Sequence, residues 1–183
     1  MTLTTKHQMR AIFFIFLLIT TISVAQESSM DPNHSILENT ESSDNYKTLS
    51  AVMKASDLDV ILNENGPFTV FAPSDLAFEK KITSSKMTEL LKSENKKDLQ
   101  DLMAYHIVAG NLTASKILQA LCSGKGKASF TTVQGDEIMA TMNGLDIVLT
   151  DGSGNTAKIV SADANQSNGV IHEIDGVILP KKI

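Results

Sequence analysis

The chain has 183 residues with a formal net charge of −5, and 42% of the residues are hydrophobic. This length suffices for one domain with one core. Arg10 is the only arginine, so the chain lacks the side chain that best suits bidentate recognition of phosphates and base edges. Composition and charge therefore argue against a nucleic-acid-binding protein.

The first 25 residues have the pattern of a cleavable secretory signal peptide. Lys6 and Arg10 precede an apolar stretch over residues 11–22, and residues 23–25 (Ser-Val-Ala) are small enough for signal cleavage. This stretch is shorter than the roughly 20 residues that a membrane-spanning helix needs. We therefore expect cleavage after Ala25, a secreted or periplasmic protein, and no membrane span in the processed chain. Cleavage changes the formal charge from −5 to −7, because residues 1–25 contain no acid.

Residues 26–44 are mostly polar, and we interpret them as a flexible leader before a domain that occupies residues 45–183. Cys122 is the single cysteine, so an internal disulfide is excluded and stability must come from packing. Because Cys122 follows Leu118 and Leu121 on a helical pattern, we expect a buried thiol.

The first half of the domain predicts short helices around one strand. Apolar spacing favours helices near residues 49–53, 58–62, 76–78, 87–91, 99–103 and 117–121. Residues 68–72 read as a strand, with Val70 and Ala72 on one face and Thr69 and Phe71 on the other. Pro73 ends this strand, and Asp75 suits the positive end of the helix that follows. Residues 107–109 indicate a second short strand.

The second half changes to short runs rich in β-branched residues, separated by turn residues. Strands are predicted at residues 129–133, 137–142, 145–150, 156–160, 170–174 and 177–179. Asn143-Gly144 is the strongest signal for a two-residue hairpin. Helices followed by strands predict an α+β fold with a largely antiparallel sheet.

Three segments closely resemble the signature segments of the fasciclin-like domain family, in the same order and spacing. They read T-V-F-A-P-S-D-L-A-F at residues 69–78, Y-H-I-V-A-G at 105–110 and N-G-V-I-H-E-I-D-G-V-I-L-P at 168–180. The resemblance covers residues 45–180 and implies an antiparallel β-wedge packed against a bundle of short helices. It also implies a small secreted single-domain bacterial member concerned with adhesion or matrix interaction, and it carries over no catalytic residue.

The residues of these segments are expected to form the fold rather than the binding site. Their apolar members belong in the core, and Tyr105, His106 and His172 are expected to be core groups with hydrogen-bond partners. Function is then expected on the polar loops that the fold holds in place. The fold-forming positions are Thr69, Val70, Phe71, Ala72, Pro73, Asp75, Phe78, Tyr105, His106, Asn168, Gly169, Val170, Ile171, His172, Asp175 and Pro180.

Two chemical sites are suggested by the sequence and are weighed against simpler interpretations. Residues 151–155 begin like a calcium loop, but Thr156 and Ala162 stand where a glycine and a bidentate glutamate belong. A flexible hairpin turn explains the same residues. His106, Asp75 and a nearby serine allow a hydrolytic triad to be imagined, whereas hydrogen bonding in the core explains His106 more simply. We therefore expect neither a metal, nor a cofactor, nor an enzyme.

The resulting hypothesis is a binding or adhesion module outside the cytoplasm. Its expected partners are an extracellular or envelope protein or polysaccharide, or a second copy of itself. Two alternatives remain open: a carrier of small apolar ligands, for which the methionines and phenylalanines are suitable, and a hydrolase.

We expect His106→Ala to lower the free energy of unfolding by roughly 1–3 kcal/mol, because a buried hydrogen-bond partner is left unpaired. Thermal unfolding measures the change, and an unaltered melting temperature would contradict it. A hydrolase would instead lose activity on this substitution while its fold survived.

Overall fold

The computed structural model describes residues 30–64 and 66–181, with the backbone alone at residues 63 and 64. The predicted signal peptide at residues 1–25 lies outside the described residues.

Short helices occupy most of the chain before residue 124. In order they are α1 (Ile36–Ser42), α2 (Lys47–Ala55), α3 (Leu58–Glu64), α4 (Asp75–Lys81), α5 (Ser84–Leu90), α6 (Lys96–Tyr105) and α7 (Ala114–Ser123), with a 3-10 turn at Ser93–Asn95. Their boundaries follow local chemistry. Thr113, for example, caps α7 by accepting a hydrogen bond from the Lys116 amide, and Gly124 follows the last turn.

Seven strands of the described chain form one sheet. They are β1 (Phe68–Pro73), β2 (Ile107–Ala109), β3 (Lys127–Thr131), β4 (Glu137–Asn143), β5 (Asp146–Thr150), β6 (Thr156–Gln166) and β7 (Gly169–Ile174), in the spatial order β2-β1-β7-β6-β5-β4-β3. Only β1 and β7 pair in parallel. The sheet curls so that its two edge strands, β2 and β3, approach each other. Val108 bridges Thr132, and the Val133 amide donates to the Ile107 carbonyl at 2.8 Å. The predicted α+β fold with a largely antiparallel sheet is therefore confirmed.

Two apolar clusters lie on opposite sides of β1. One fills the space between the helices and the strands β1, β2 and β7, and it contains Val70 and Ala72. The other fills the inside of the curled sheet beneath α7, and it contains Phe71. The strand is buried along its whole length, so its two faces supply both clusters, as the alternation in the sequence predicts.

The prediction of a flexible leader over residues 26–44 is wrong for the part that forms α1. Ser35 and Glu38 form a reciprocal capping box at the start of this helix, and Ile36 is fully buried in the helical cluster. A long-range contact also holds the helix, because the Asn168 side chain accepts a hydrogen bond from the Ile36 amide at 2.9 Å. The mostly polar composition of this segment did not indicate a helix, because the helix needs only a few buried side chains to pack against the domain.

Three strand predictions also differ from the structure. β6 extends to Gln166 instead of ending at residue 160, because it pairs with β7 along a polar and largely exposed edge. Val177 and Ile178 are buried and Leu179 is partly buried, but residues 177–179 form no strand. Asn143 pairs with Asp146, so the two turn residues are Gly144 and Leu145 rather than Asn143 and Gly144. Gly144 has a φ of 63° there, a conformation that glycine adopts without strain.

The expected burial of Cys122 is wrong. The helix α7 turns Ile117 and Leu121 towards the sheet, which leaves Leu118 and Cys122, one turn apart, on its exposed side.

The turn between β6 and β7 ties three distant segments together. The Asn168 side chain accepts from the Ile36 amide and donates to the Leu62 carbonyl at 2.7 Å, while its own carbonyl accepts from the Phe68 amide at 2.9 Å. At Gly169 the backbone of β1 passes so close that an added Cβ would lie 1.9 Å from the Phe68 carbonyl oxygen. These contacts set the register in which β7 lies against β1.

We expect Asn168→Ala to lower the free energy of unfolding by roughly 2–4 kcal/mol, because the Ile36 amide and the Leu62 carbonyl both lose their partner. Urea unfolding measures the loss. Asn165→Ala, at an exposed position near the same turn, is the matched control and should change stability by less than about 0.5 kcal/mol. Equal stability of the two variants would refute the role given to Asn168.

Candidate binding surface

In the first signature segment, the Thr69 hydroxyl forms hydrogen bonds to backbone groups of the protein. The Thr69 hydroxyl donates to the Gly110 carbonyl at 2.6 Å and accepts from the Leu112 amide at 2.8 Å, which fixes the loop after β2 against β1. The other members of the segment lie in the two clusters or at their border. Val70, Ala72 and Phe78 belong to the helical cluster, Phe71 belongs to the sheet cluster, and Pro73 is buried at the end of β1.

Asp75 caps a different helix from the one it begins. Its carboxylate accepts hydrogen bonds from the amides of Thr48 at 2.7 Å and Lys47 at 3.2 Å, in the first turn of α2. Tyr46, the residue immediately before α2, provides no side-chain cap for this helix. Asp75 therefore holds the N-terminus of α2 against the N-terminus of α4, where both helix dipoles favour a negative charge.

Tyr105 and His106 join α6 to later parts of the chain. The Tyr105 hydroxyl donates to the Glu137 carbonyl at 3.0 Å and accepts from the Gly152 amide at 3.1 Å. The His106 ring is fully buried, with Nδ1 donating to the Leu102 carbonyl at 2.8 Å and Nε2 accepting from the Ile178 amide at 3.4 Å. Burial lowers the pKa of His106 to about 4, against the opposing effect of the Leu102 carbonyl.

His172 holds the irregular part of β6. Its Nε2 donates to the Leu112 carbonyl at 2.7 Å, and its Nδ1 accepts from the Asp163 amide at 3.2 Å. The ring stacks on Phe71 with a centroid separation of 5.7 Å. Burial lowers the pKa of His172, although the Leu112 carbonyl and the charge of Asp163 oppose the shift. A neutral ring is the form that these two contacts require.

Asp163 connects β6 to α7. It has a left-handed backbone with a φ of 61°, and its Oδ1 accepts from the Ala114 amide at 2.7 Å, at the start of α7. The register between β6 and β7 shifts on both sides of Ser161, so the strand bulges where Asp163 leaves the regular ladder. A strained residue at a bulge is thus held by the ring of His172 and by a helix N-terminus.

The remaining signature residues close the fold. Asp175 joins β6 by accepting from the Lys158 amide at 2.7 Å, and Pro180 is buried at the end of the closing segment. Val170, Ile171 and Gly169 are buried along β7. The signature residues are therefore brought together as a scaffold of strands and hydrogen bonds, and not as one exposed cluster.

Residues 151–155, which begin like a calcium loop, are organised by the carboxylate of Asp151. One carboxylate oxygen of Asp151 accepts from the amides of Ser153 and Asn155, and the other accepts from the Asn155 side chain and the Leu179 amide, all at 2.8–2.9 Å. Burial acts to raise its pKa, but these hydrogen bonds lower the pKa of Asp151 below the usual value. Among the described residues, no group of three or more acidic, histidine or cysteine residues is placed to bind a metal.

The imagined hydrolytic triad does not assemble. Asp75 bonds to the start of α2, whereas both ring nitrogens of His106 bond to backbone groups inside the core. Inside the curled sheet, Phe71, Phe130 and Leu149 pack with the rest of the cluster.

An open cleft of about 510 Å³ lies between the start of the described chain and the bulged part of β6. We call it the β6 cleft. Residues 161–165 form one wall, and the residues that form the rest of it are Met30, Pro32, Ser43, Asn45, Tyr46 and Glu173. Its character is acidic, because Asp163 and Glu173 are its charged residues and no basic residue lines it.

The carboxylates of the β6 cleft keep acceptor capacity. Glu173 accepts the Tyr46 hydroxyl at 3.1 Å through Oε2, and Asp163 accepts the Ala114 amide through Oδ1. The second oxygen of each has no hydrogen-bond partner among the described residues. Burial and the charge of Glu173 raise the pKa of Tyr46, so its hydroxyl remains a donor. The cleft is suited to groups that donate N–H or O–H, such as ammonium, guanidinium or sugar hydroxyls.

A second cleft of about 370 Å³ opens beside Tyr105, where Asp136, Glu137 and Lys181 surround the outer ends of β4 and β5. The Tyr105 hydroxyl at its base is already engaged twice, and Asp151 is saturated by amides.

The sequence did not reveal the residues that shape the β6 cleft. Asp163, Tyr46 and Glu173 lie far apart in the chain, and their contacts depend on the bulge and on the docking of α1 and α2. The one available signal was the polar stretch at residues 161–167, which the sequence assigned to a loop.

Comparison with known proteins agrees with this geometry. A family model described as the fasciclin domain matches residues 44–180. Protein sll1483 of Synechocystis sp. is 35% identical over 86% of this chain and 80% of that protein. Periostin of Homo sapiens is 33% identical over 80% of this chain, but the match spans only 16% of periostin.

A solved structure of a FAS1 domain pair from the insect cell adhesion molecule Fasciclin I has the same fold. It superposes with a TM-score of 0.70 over 81% of this chain and 52% of that chain, at 19% sequence identity. Within residues 30–64 and 66–181, no helix is both long and apolar enough to cross a membrane.

We expect the free energy of unfolding to fall as the pH drops from 7 to 5. An unfolded histidine binds a proton with a pKa near 6.5, whereas the folded His106 resists protonation down to about 4. The unfolded state therefore gains protons first, and His106 alone should cost about 2 kcal/mol over this interval. His172 acts in the same direction.

Urea unfolding at both pH values measures this loss, and NMR titration of the ring protons assigns it. A His106 ring that titrates near pH 6.5 in the folded protein would contradict the expectation.

Proposed function

The chain belongs to the fasciclin domain family, and from this premise we propose that it is a non-catalytic binding module that works outside the cytoplasm. The sequence supports secretion through its predicted signal peptide, with cleavage after Ala25. The fold of a cell adhesion molecule supports a role in attachment. The proposed partners are an envelope or matrix protein or polysaccharide, or a second copy of the chain.

One observation carries the proposal more than any other. Polar side chains of the signature segments form internal contacts: Thr69, His106 and His172 each bond to backbone groups of distant elements. Such residues maintain the fold, and none of these three presents a nucleophile or a general base to solvent. Recognition then falls to surfaces held in place by this scaffold.

The β6 cleft is the surface we assign to partner binding. Its two carboxylates each retain a free oxygen, and its amide and hydroxyl groups offer further acceptors and donors. A partner would therefore present cationic or hydroxyl groups, as a lysine-rich protein segment or a polysaccharide does. Because exposed charges mainly set association rate and specificity, binding should weaken as the salt concentration rises.

We expect the purified chain to bind envelope or matrix fractions at micromolar concentration, measured with a fluorescent label. The double substitution Asp163→Asn and Glu173→Gln keeps the hydrogen-bond acceptors but removes both charges, and it should weaken binding by about tenfold.

Glu79→Gln with Asp98→Asn is the matched control, since it removes two exposed acids from α4 and α6. If the native chain binds no fraction, the proposed function fails. If both double variants bind alike, the β6 cleft is not the site.

A further inference from the structure

The tip of the β4–β5 hairpin exposes a leucine. Gly144 and Leu145 form the two-residue turn between the paired residues Asn143 and Asp146. Leu145 is 98% exposed, the most exposed of the large apolar residues described. A type of turn that begins with glycine accepts polar residues at its second position, so the local fold does not require a leucine there.

The strand beside this tip is also uncovered. β5 pairs with β6 from Val148 opposite Lys158 to Thr150 opposite Thr156, and no pairing continues beyond Lys158. Extending that register places Asp146 beside Val160, which is 49% exposed. From Ser161 onward, β6 has only β7 as a neighbour in the sheet. An apolar tip and an open strand edge therefore stand side by side.

This face carries both signs of charge in separate places. Lys127 pairs with Thr141 near the hairpin end, and Lys125 lies in the turn before β3. Both lysines are exposed, and neither forms an ion pair with another described residue. The β6 cleft, on the other side of the open edge, provides Asp163 and Glu173.

We infer that this face is an interface between two copies of the chain, related by a two-fold axis. A two-fold axis places the same patch against itself. Asp146 at the tip is ion-paired with Lys158 at 3.4 Å, and Lys125 and Lys127 lie beside the tip. An apolar tip with neighbouring lysines is therefore complementary to the acidic cleft of a second copy. Each hairpin tip then lies in the β6 cleft of the other copy. Leu145 contacts the apolar parts of Tyr46 and Met30 there, and the lysines approach the free carboxylate oxygens.

The inference rests on the proposed function, because it names a second copy as one partner of the β6 cleft. A small interface of this kind corresponds to a dissociation constant on the order of micromolar. Sedimentation velocity over a range of concentrations measures it for the chain that begins at Gln26, which retains every described residue. We expect a monomer–dimer equilibrium that shifts to monomer as salt is added.

Three variants test the contact. Leu145→Ser should raise the dissociation constant of the dimer by about tenfold or more, and Lys125→Glu with Lys127→Glu should abolish dimers at the same concentrations. Val133→Ser is the control, because Val133 is 39% exposed at the opposite end of β4 and should leave the dimer intact. Thermal unfolding verifies that each exposed substitution preserves the fold.

The inference is overturned if the native chain stays monomeric at all concentrations, or if Leu145→Ser and Val133→Ser affect the dimer equally. Its failure is distinct from failure of the proposed function. A monomer that still binds envelope fractions refutes only the dimer, whereas a dimer that binds no fraction upholds the inference and refutes the proposed attachment to the envelope.

Discussion

The parallel pairing of β1 with β7 is the contact on which the molecule depends. β1 is buried on both faces, so one side of it faces the helices and the other faces the inside of the curled sheet. β7 reaches it from the far end of the chain and closes both clusters at once. The pairing requires a residue without a side chain at Gly169, where the Phe68 carbonyl leaves no room for a Cβ. Asn168, immediately before it, ties the first helix to the same junction.

This arrangement explains why most polar side chains of the most recognisable segments are engaged inside the protein. Their threonine, tyrosine and histidine side chains bond to backbone groups of loops and helices that would otherwise be held weakly. His172 and Asp163 illustrate the consequence, because one buried ring fixes the bulge that forms a wall of the β6 cleft. The scaffold thus determines the shape of a surface to which the signature segments contribute Glu173 and other segments contribute the remaining residues.

The sequence predicted those parts of the fold that depend on local patterns. The alternation in residues 68–72, the helix near residues 117–121 and the series of short strands follow from the spacing of apolar and turn residues. Long-range contacts decided the rest. α1 forms because Asn168 and the helical cluster hold it, and β6 continues through a polar segment because β7 provides partners for its backbone. Asp75 lies at the start of α4 as expected, but its hydrogen bonds to the amides of Lys47 and Thr48 were not predicted, since only the folded chain brings α2 to it.

The two ends of the described chain lie beside the two clefts, near opposite ends of β6. Met30 lies beside residues 161–165, and the His34 carbonyl accepts from the Ser167 amide near the end of the strand. Lys181 lies against Gly152, just before the strand begins. A pulling force applied across these two points acts along the strands, so the hydrogen bonds of the β6–β7 and β7–β1 ladders share the load and must break together. The paired strands would therefore resist such a force in shear rather than open one bond at a time.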